Sequence, residues 1–194
     1  MLIPTRDWLP LDTQVAGFLL ALHALPVDIL GGADEPDDPL AEWSGLLSEV
    51  DAKVLPLLPT DTAMAVGARF ERFLAGNDEP HPRAAIHGDF GTGNILVDDG
   101  NVSGIIDFAG CAIGDLAYDL ASLSAGLGDD FLALMRWSYP GIDAMRERIC
   151  SYRSTFPLLD VVFGPEHDDV SALNAGLEAL RNGLRVGSGL GRSA

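Results

Sequence analysis

The stretch Ile86-His87-Gly88-Asp89-Phe90-Gly91-Thr92-Gly93-Asn94, continued by Ile95-Leu96-Val97, a turn, and Gly104-Ile105-Ile106-Asp107-Phe108, decides how this chain is read. Ala84-Ala85-Ile86 is a short apolar run suited to enter a core as a strand. The glycines and Thr92 that follow mark backbone that turns tightly and approaches a ligand. Ile95-Leu96-Val97 is a second strand candidate, and Asp98-Asp99-Gly100-Asn101 is strong hairpin-turn chemistry. Val102 to Asp107 returns as a third strand, with Gly104 its weak point. Such a hairpin brings the residue before its first strand beside the residue that ends its second. Asn94 and Asp107 are therefore expected side by side, with Asp89 facing the same space across the loop.

That constellation has a chemical meaning. Phosphoryl transfer needs one carboxylate beside the attacking hydroxyl and separate oxygen ligands for a hard cation on the phosphates. Kinase-type sites take these groups from a catalytic-loop Asp, an Asn five residues on, and an Asp after the next pair of strands. Asp89, Asn94 and Asp107 fill those three places. Singly, each is an ordinary loop residue that caps turns. The ordered string, with strands between its members, carries the reading.

The same residues resemble the aminoglycoside phosphotransferase family, the antibiotic and choline kinase-like group. Ile86-His87-Gly88-Asp89 with Asn94-Ile95-Leu96 is similar to its catalytic loop, and Gly104 to Phe108 to its metal-binding segment. Gly114-Asp115-Leu116-Ala117-Tyr118-Asp119-Leu120-Ala121 is similar to the following helix, and Phe18 to Leu25 to the helix that opens its C-terminal lobe. The resemblance implies the C-terminal lobe of a protein-kinase-like fold: α+β, mainly α, with a small catalytic β-hairpin. It implies Asp89 as catalytic base or hydroxyl-orienting carboxylate, and Asn94 and Asp107 as magnesium ligands on ATP or GTP. Leu96 and Ile106 would floor the purine, Asp119 would tie its helix to the loop backbone, and His87 would pack within the loop. The acceptor would be a small molecule, an aminoglycoside first, with a macrolide, choline, homoserine or a sugar as alternatives. A non-catalytic remnant or binding module is the reading outside enzymes.

One part of a complete kinase has no counterpart. Nothing before residue 86 reads as an N-terminal lobe of strands with a glycine-rich flap, a strand Lys and a helix Glu. Lys53, the only lysine, falls in a helical segment. The expectation is a lobe lacking its partner: a piece of a longer protein, a shortened gene, or half of a two-chain enzyme.

Composition bounds the rest. The chain has 194 residues, 47% hydrophobic, enough for one domain or large lobe with a proper core. Its 29 acidic and 12 basic side chains give a net charge of −17, which argues against nucleic acid and anionic lipid and suits a cationic substrate. No apolar run reaches the roughly 20 residues that span a bilayer, and residues 1–10 lack a signal-peptide pattern. Cys111 and Cys150 make no disulfide framework or metal spacing, so a cytoplasmic location is expected.

Helical periodicity is expected near 12–25, 40–55, 60–76, 115–124 and 129–137. It continues through a long helix over 142–162 with Pro157 as its breaking point, and a final helix from Val170 to Leu184. The parts read as a helical segment at 1–83, the catalytic loop and hairpin at 84–108, a helical substrate-side part at 109–186 and a flexible tail at 187–194. Asp160, Glu166, Asp168 and Asp169 are candidates to meet ammonium groups of an acceptor.

Overall fold

The computed structural model describes residues 8–30, 41–76, 81–167 and 169–187. Its residues group into two compact units, Met1–Glu35 with His81–Arg153 and Pro36–Pro80 with Ser154–Ala194. The tail expected to be flexible lies, beyond Gly187, outside the described residues.

The first unit begins with helix α1 (Trp8–His23). Val15, Leu19 and Leu22 recur at helical spacing and are buried along one stripe of it. Strand β1 (Arg83–Ile86) runs into the loop at His87, and a short 3-10 turn at Thr92–Asn94 leads to β2 (Ile95–Asp98) and β3 (Asn101–Ile105). These pair antiparallel, with Ile95 opposite Ile105 and Asp98 opposite Asn101. The two-residue turn has φ of 45° at Asp99 and 74° at Gly100, the positive values that an Asp-Gly hairpin turn supplies. Gln14 of α1 holds the far end of this hairpin. Its Nε2 donates to Asn101 Oδ1 at 3.1 Å, and its Oε1 accepts from the Val102 N–H at 2.9 Å.

Strand β4 (Ala112–Asp115) was not expected. It pairs antiparallel with β1, from Arg83 opposite Asp115 to Ile86 opposite Ala112, so the described residues form two separate two-stranded sheets. Gly114 makes this possible, because a Cβ there would lie 2.6 Å from Ile86 Cδ1. Asp115 ends β4 and accepts the Ala117 N–H at 2.9 Å, and its neighbour Leu116 opens the helix expected to begin at one or the other. Helix α4 (Ala117–Leu127) follows, with Leu120, Ala121 and Leu123 fully buried. Helices α5 (Asp129–Met135) and α6 (Arg146–Arg153) complete the unit. Arg148 pairs with Asp115 at 2.8 Å, and Arg153 with Asp129 at 2.6 Å.

The second unit is helical. Helix α2 (Ala41–Glu49) passes into a π-helical turn at Val50–Val54, and α3 (Thr60–Gly76) buries Val66, Phe70 and Phe73. The long helix read over 142–162 is interrupted before Pro157. A new helix, α7 (Phe156–Glu166), starts there with the proline in its first turn, where the missing N–H costs nothing. Asp169 caps the last helix, α8 (Val170–Gly187), accepting from the Ser171 and Ala172 N–H groups at 2.9 and 3.0 Å. Gly164 of α7 and Gly176 of α8 let the two helices touch closely. A Cβ on Gly176 would lie 2.7 Å from Pro157 O and from Val161 Cγ2. The molecule is thus mostly helical with small antiparallel sheets, and no helix among the described residues is long and apolar enough to cross a membrane.

Candidate active site

The loop after β1 is built around a buried histidine. Asp89 and Gly91 close a tight turn, the Gly91 N–H donating to Asp89 O at 2.8 Å. The His87 side chain is fully buried. Its Nε2 contacts Ile106 O at 3.0 Å, and its Nδ1 accepts the Asp89 N–H at 3.3 Å. A carbonyl only accepts, so Nε2 carries the proton and the ring is neutral. One imidazole therefore ties the backbone of Asp89 to the residue before Asp107. Phe90 and Phe108 pack against it at ring-centroid distances of 5.4 and 4.6 Å, and Phe18 of α1 stacks on Phe90 at 5.6 Å. The expected role of His87, packing and hydrogen bonding inside the loop, is the one observed.

Asp119 anchors the loop from α4. Its carboxylate is fully buried and accepts the His87 N–H at 2.8 Å on Oδ2 and the Gly88 N–H at 3.0 Å on Oδ1. A buried charge is tolerated only when donors satisfy it, and here the donors are the backbone that carries Asp89. Gly88 sits at φ +80°, and a Cβ there would collide with the Gly110 carbonyl. Glycine is required on conformational and steric grounds alike.

Asp89 and Asn94 meet directly. Asn94 Nδ2 donates to Asp89 O at 2.8 Å and to Asp89 Oδ2 at 3.0 Å. This clasp leaves Asn94 Oδ1 and Asp89 Oδ1 as acceptors open to a ligand. The Ile106 N–H donates to Asn94 O at 3.0 Å, which extends the hairpin ladder and places Asp107 one residue beyond Asn94's partner. Asp107 is exposed and adopts left-handed backbone, φ 62° and ψ 66°, a conformation that Asp tolerates better than most residues. That kink ends the strand and turns the chain into the short turn at Phe108–Gly110. No cluster of three His, Cys, Asp or Glu side chains suited to a metal exists among the described residues. An Asn–Asp pair completed by phosphate oxygens needs no such cluster.

Leu96 and Ile106 are each 44% exposed on the hairpin, and Val97 and Phe108 lie open beside them in sequence. The other acidic candidates divide. Asp169 is engaged as the α8 cap, burial pushes the Asp160 carboxyl above its ordinary range, and Asp168 and the Glu166 side chain fall outside the described residues. Sequence reading gave no role to His23 or Tyr139, which stand behind Asp119. The available signal was a histidine on the turn after Leu22 of an otherwise apolar helix stripe.

Comparison with known proteins agrees with this geometry. Residues 13–148 match the phosphotransferase enzyme family. Viomycin phosphotransferase of Streptomyces vinaceus is 34% identical over 178 residues, covering 87% of this chain and 60% of that protein. The GDP complex of aminoglycoside 2'-phosphotransferase-IIIa superposes with a TM-score of 0.79 at 24% identity, over 93% of this chain and 63% of the other. Macrolide 2'-phosphotransferase type I gives a TM-score of 0.72 at 23% identity, over 92% and 60%. The chain thus spans 60 to 63% of the length of these relatives. With a family match across residues 13–148, most of its length, the chain belongs to the phosphotransferase enzyme family.

Proposed function

We propose that this chain is the catalytic lobe of a phosphotransferase that moves the γ-phosphate of ATP or GTP to a hydroxyl of a cationic antibiotic. The observation that carries the reading is the Asn94 clasp on Asp89, supported by the Ile106 N–H bond to Asn94 O one residue before Asp107. Asp89 Oδ1 accepts the acceptor hydroxyl and takes its proton as the oxygen bonds to the γ-phosphorus. The bond from that phosphorus to the β–γ bridging oxygen breaks, and a nucleoside diphosphate leaves. Asn94 Oδ1 and an Asp107 carboxylate oxygen are the groups to hold magnesium, both hard oxygen donors. When bound, the ion neutralises charge on the β- and γ-phosphates. Leu96 and Ile106 offer the apolar surface for the purine. Most of the rate then comes from positioning and electrostatic stabilisation rather than strong acid-base chemistry.

For the acceptor, an aminoglycoside stands first. The 34% identical relative makes the substrate of a viomycin phosphotransferase the second candidate. The net charge of −17 favours either as a cation. The strands, flap and lysine that complete a kinase would come from an N-terminal lobe in the same protein or a second subunit, consistent with the 60% of the relative's length that the chain spans. The cytoplasm, which holds nucleoside triphosphates and keeps the free thiols of Cys111 and Cys150 reduced, is the proposed site of action. The test is transfer of labelled phosphate to a panel of aminoglycosides, viomycin and neutral alcohols, with Asp89→Asn as control. Transfer that survives Asp89→Asn would remove the assignment.

A further inference from the structure

The half of the catalytic loop that carries Asn94 has a single handle. Between Phe90 and Asn94 the chain reads Gly91-Thr92-Gly93, so Thr92 is the one position there with a side chain to grip the rest of the unit. The turn is tied together from within: the Gly91 N–H donates to Asp89 O at 2.8 Å, and the Asn94 N–H to Gly91 O at 3.1 Å. The Thr92 side chain lies against Gly126, in the last turn of α4. A Cβ on Gly126 would stand 2.6 Å from Thr92 Cγ2, 3.1 Å from its Oγ1 and 3.4 Å from its Cβ. Every heavy atom of that side chain is within reach, so rotating χ1 only exchanges one close contact for another, and threonine is stiff there. Backbone conformation does not ask for glycine at 126. The residue is helical, and positive φ first occurs two residues on, at Gly128, which ends the helix at 82°. An ordinary helical position favours alanine over glycine. What glycine supplies here is room.

We propose that Gly126 is a positioning residue for the candidate active site: the notch it leaves in α4 seats Thr92. Through Thr92 it holds the Thr92–Asn94 turn at the height where the Asn94 amide clasps Asp89. Gly126 acts on the loop, not on any ligand. Filling the notch pushes Thr92 outward and draws the Asn94 amide off the Asp89 carboxylate. The seat stands on packing alone, whereas its catalytic consequence rests on the proposed phosphotransferase activity.

The test is a double-mutant cycle on the intact chain, read first without turnover. Gly126→Ala should lower the urea midpoint, against the rise that alanine brings to an ordinary helical glycine. It should also move the Asn94 side-chain amide signals, in a nitrogen–proton correlation spectrum, toward those of a free amide. Thr92→Ala removes the two atoms that the new Cβ would strike and leaves its own Cβ at 3.4 Å, an ordinary contact. In the double variant the two methyl groups therefore rebuild the seat, and both readouts should return close to those of the parent chain. Should Gly126→Ala fail to fold, recovery of a folded protein in the double variant supports the seat, and no recovery overturns it. Where transfer is measured, Gly126→Ala should need about tenfold more magnesium for half its maximal rate, the scale on which the support of a metal ligand acts, and the double variant should not. A midpoint that rises in Gly126→Ala, equal effects with and without Thr92, or unmoved Asn94 signals would overturn the proposal whatever the activity. Coupled midpoints and signals with no transfer in any protein, parent included, fail the activity alone; uncoupled ones beside normal transfer fail the seat alone.

Discussion

Two residues in the loop carry opposite kinds of constraint. Gly88 is held by shape: its φ of +80° and the adjoining Gly110 carbonyl leave no room for a Cβ. Gly88→Ala should cost about 2 kcal/mol or more in urea unfolding, since left-handed backbone alone costs an L-residue roughly 1–2 kcal/mol. It should also abolish transfer by shifting Asp89. Asp107 combines the proposed metal-binding task with a left-handed backbone, so Asp107→Ala disturbs both. Asp107→Asn separates them, because Asn accepts the same backbone at little cost. It should fold with unchanged stability yet lose most magnesium-dependent nucleotide affinity, as read by titration calorimetry with and without the metal. Unchanged affinity would exclude Asp107 as a metal ligand. Both residues were visible in the sequence as chemistry, but the strain at Asp107 was not, because only the geometry leaving the strand imposes it.

At the scale of elements, legibility followed locality. The hairpin from Ile95 to Ile105 was readable because its turn and both strands lie within a dozen residues; the turn dictates the register at Asp98 and Val97, and a one-residue shift follows from Leu96 on. Strand β4 was missed because Ala112–Asp115 has no alternating pattern of its own. It becomes a strand only where β1, some thirty residues away, offers an edge and Gly114 allows Ile86 to close over it. The break before α7 was legible in Pro157. The cap on α8 was hidden, since Asp169 read as one acid among several. Asp169→Ala should lower stability by about 1 kcal/mol, as loss of a helix cap does. It should leave transfer to a cationic acceptor unchanged, and a large effect on acceptor KM would return Asp169 to the substrate side.

At the scale of the whole molecule, the buried phenols set the alkaline limit. Tyr139 moves from its ordinary 10.0 up to about 12, and burial together with the neighbouring Asp115 raises Tyr152 strongly as well. The fold favours the neutral phenols. For Tyr139 that contribution is complete below pH 10 and is lost as pH rises through about 12. Urea midpoints should therefore hold up to about pH 9 and fall between pH 10 and 12, with Tyr139→Phe flattening part of the descent. The surplus of 29 acidic over 12 basic groups acts on encounter rather than on fold. KM for a cationic acceptor should rise with added salt over the range where the Debye length shrinks to about 8 Å, and KM for a neutral alcohol should not.

The interleaving of the two units also orders how the molecule is made. The unit with the candidate active site draws on the chain before Glu35 and again from His81 to Arg153, whereas α2 and α3 share their unit with α7 and α8, translated after it. On a nascent chain the reactive loop has its anchor Asp119, and the rest of its unit, once Arg153 has cleared the ribosome. The helices of Ala41–Gly76 must then wait, apolar faces open, for α7 and α8. Such a window is where chaperones act and where aggregation begins. Slowed translation over the last two helices should therefore cost yield of soluble protein before it costs the integrity of the active-site unit.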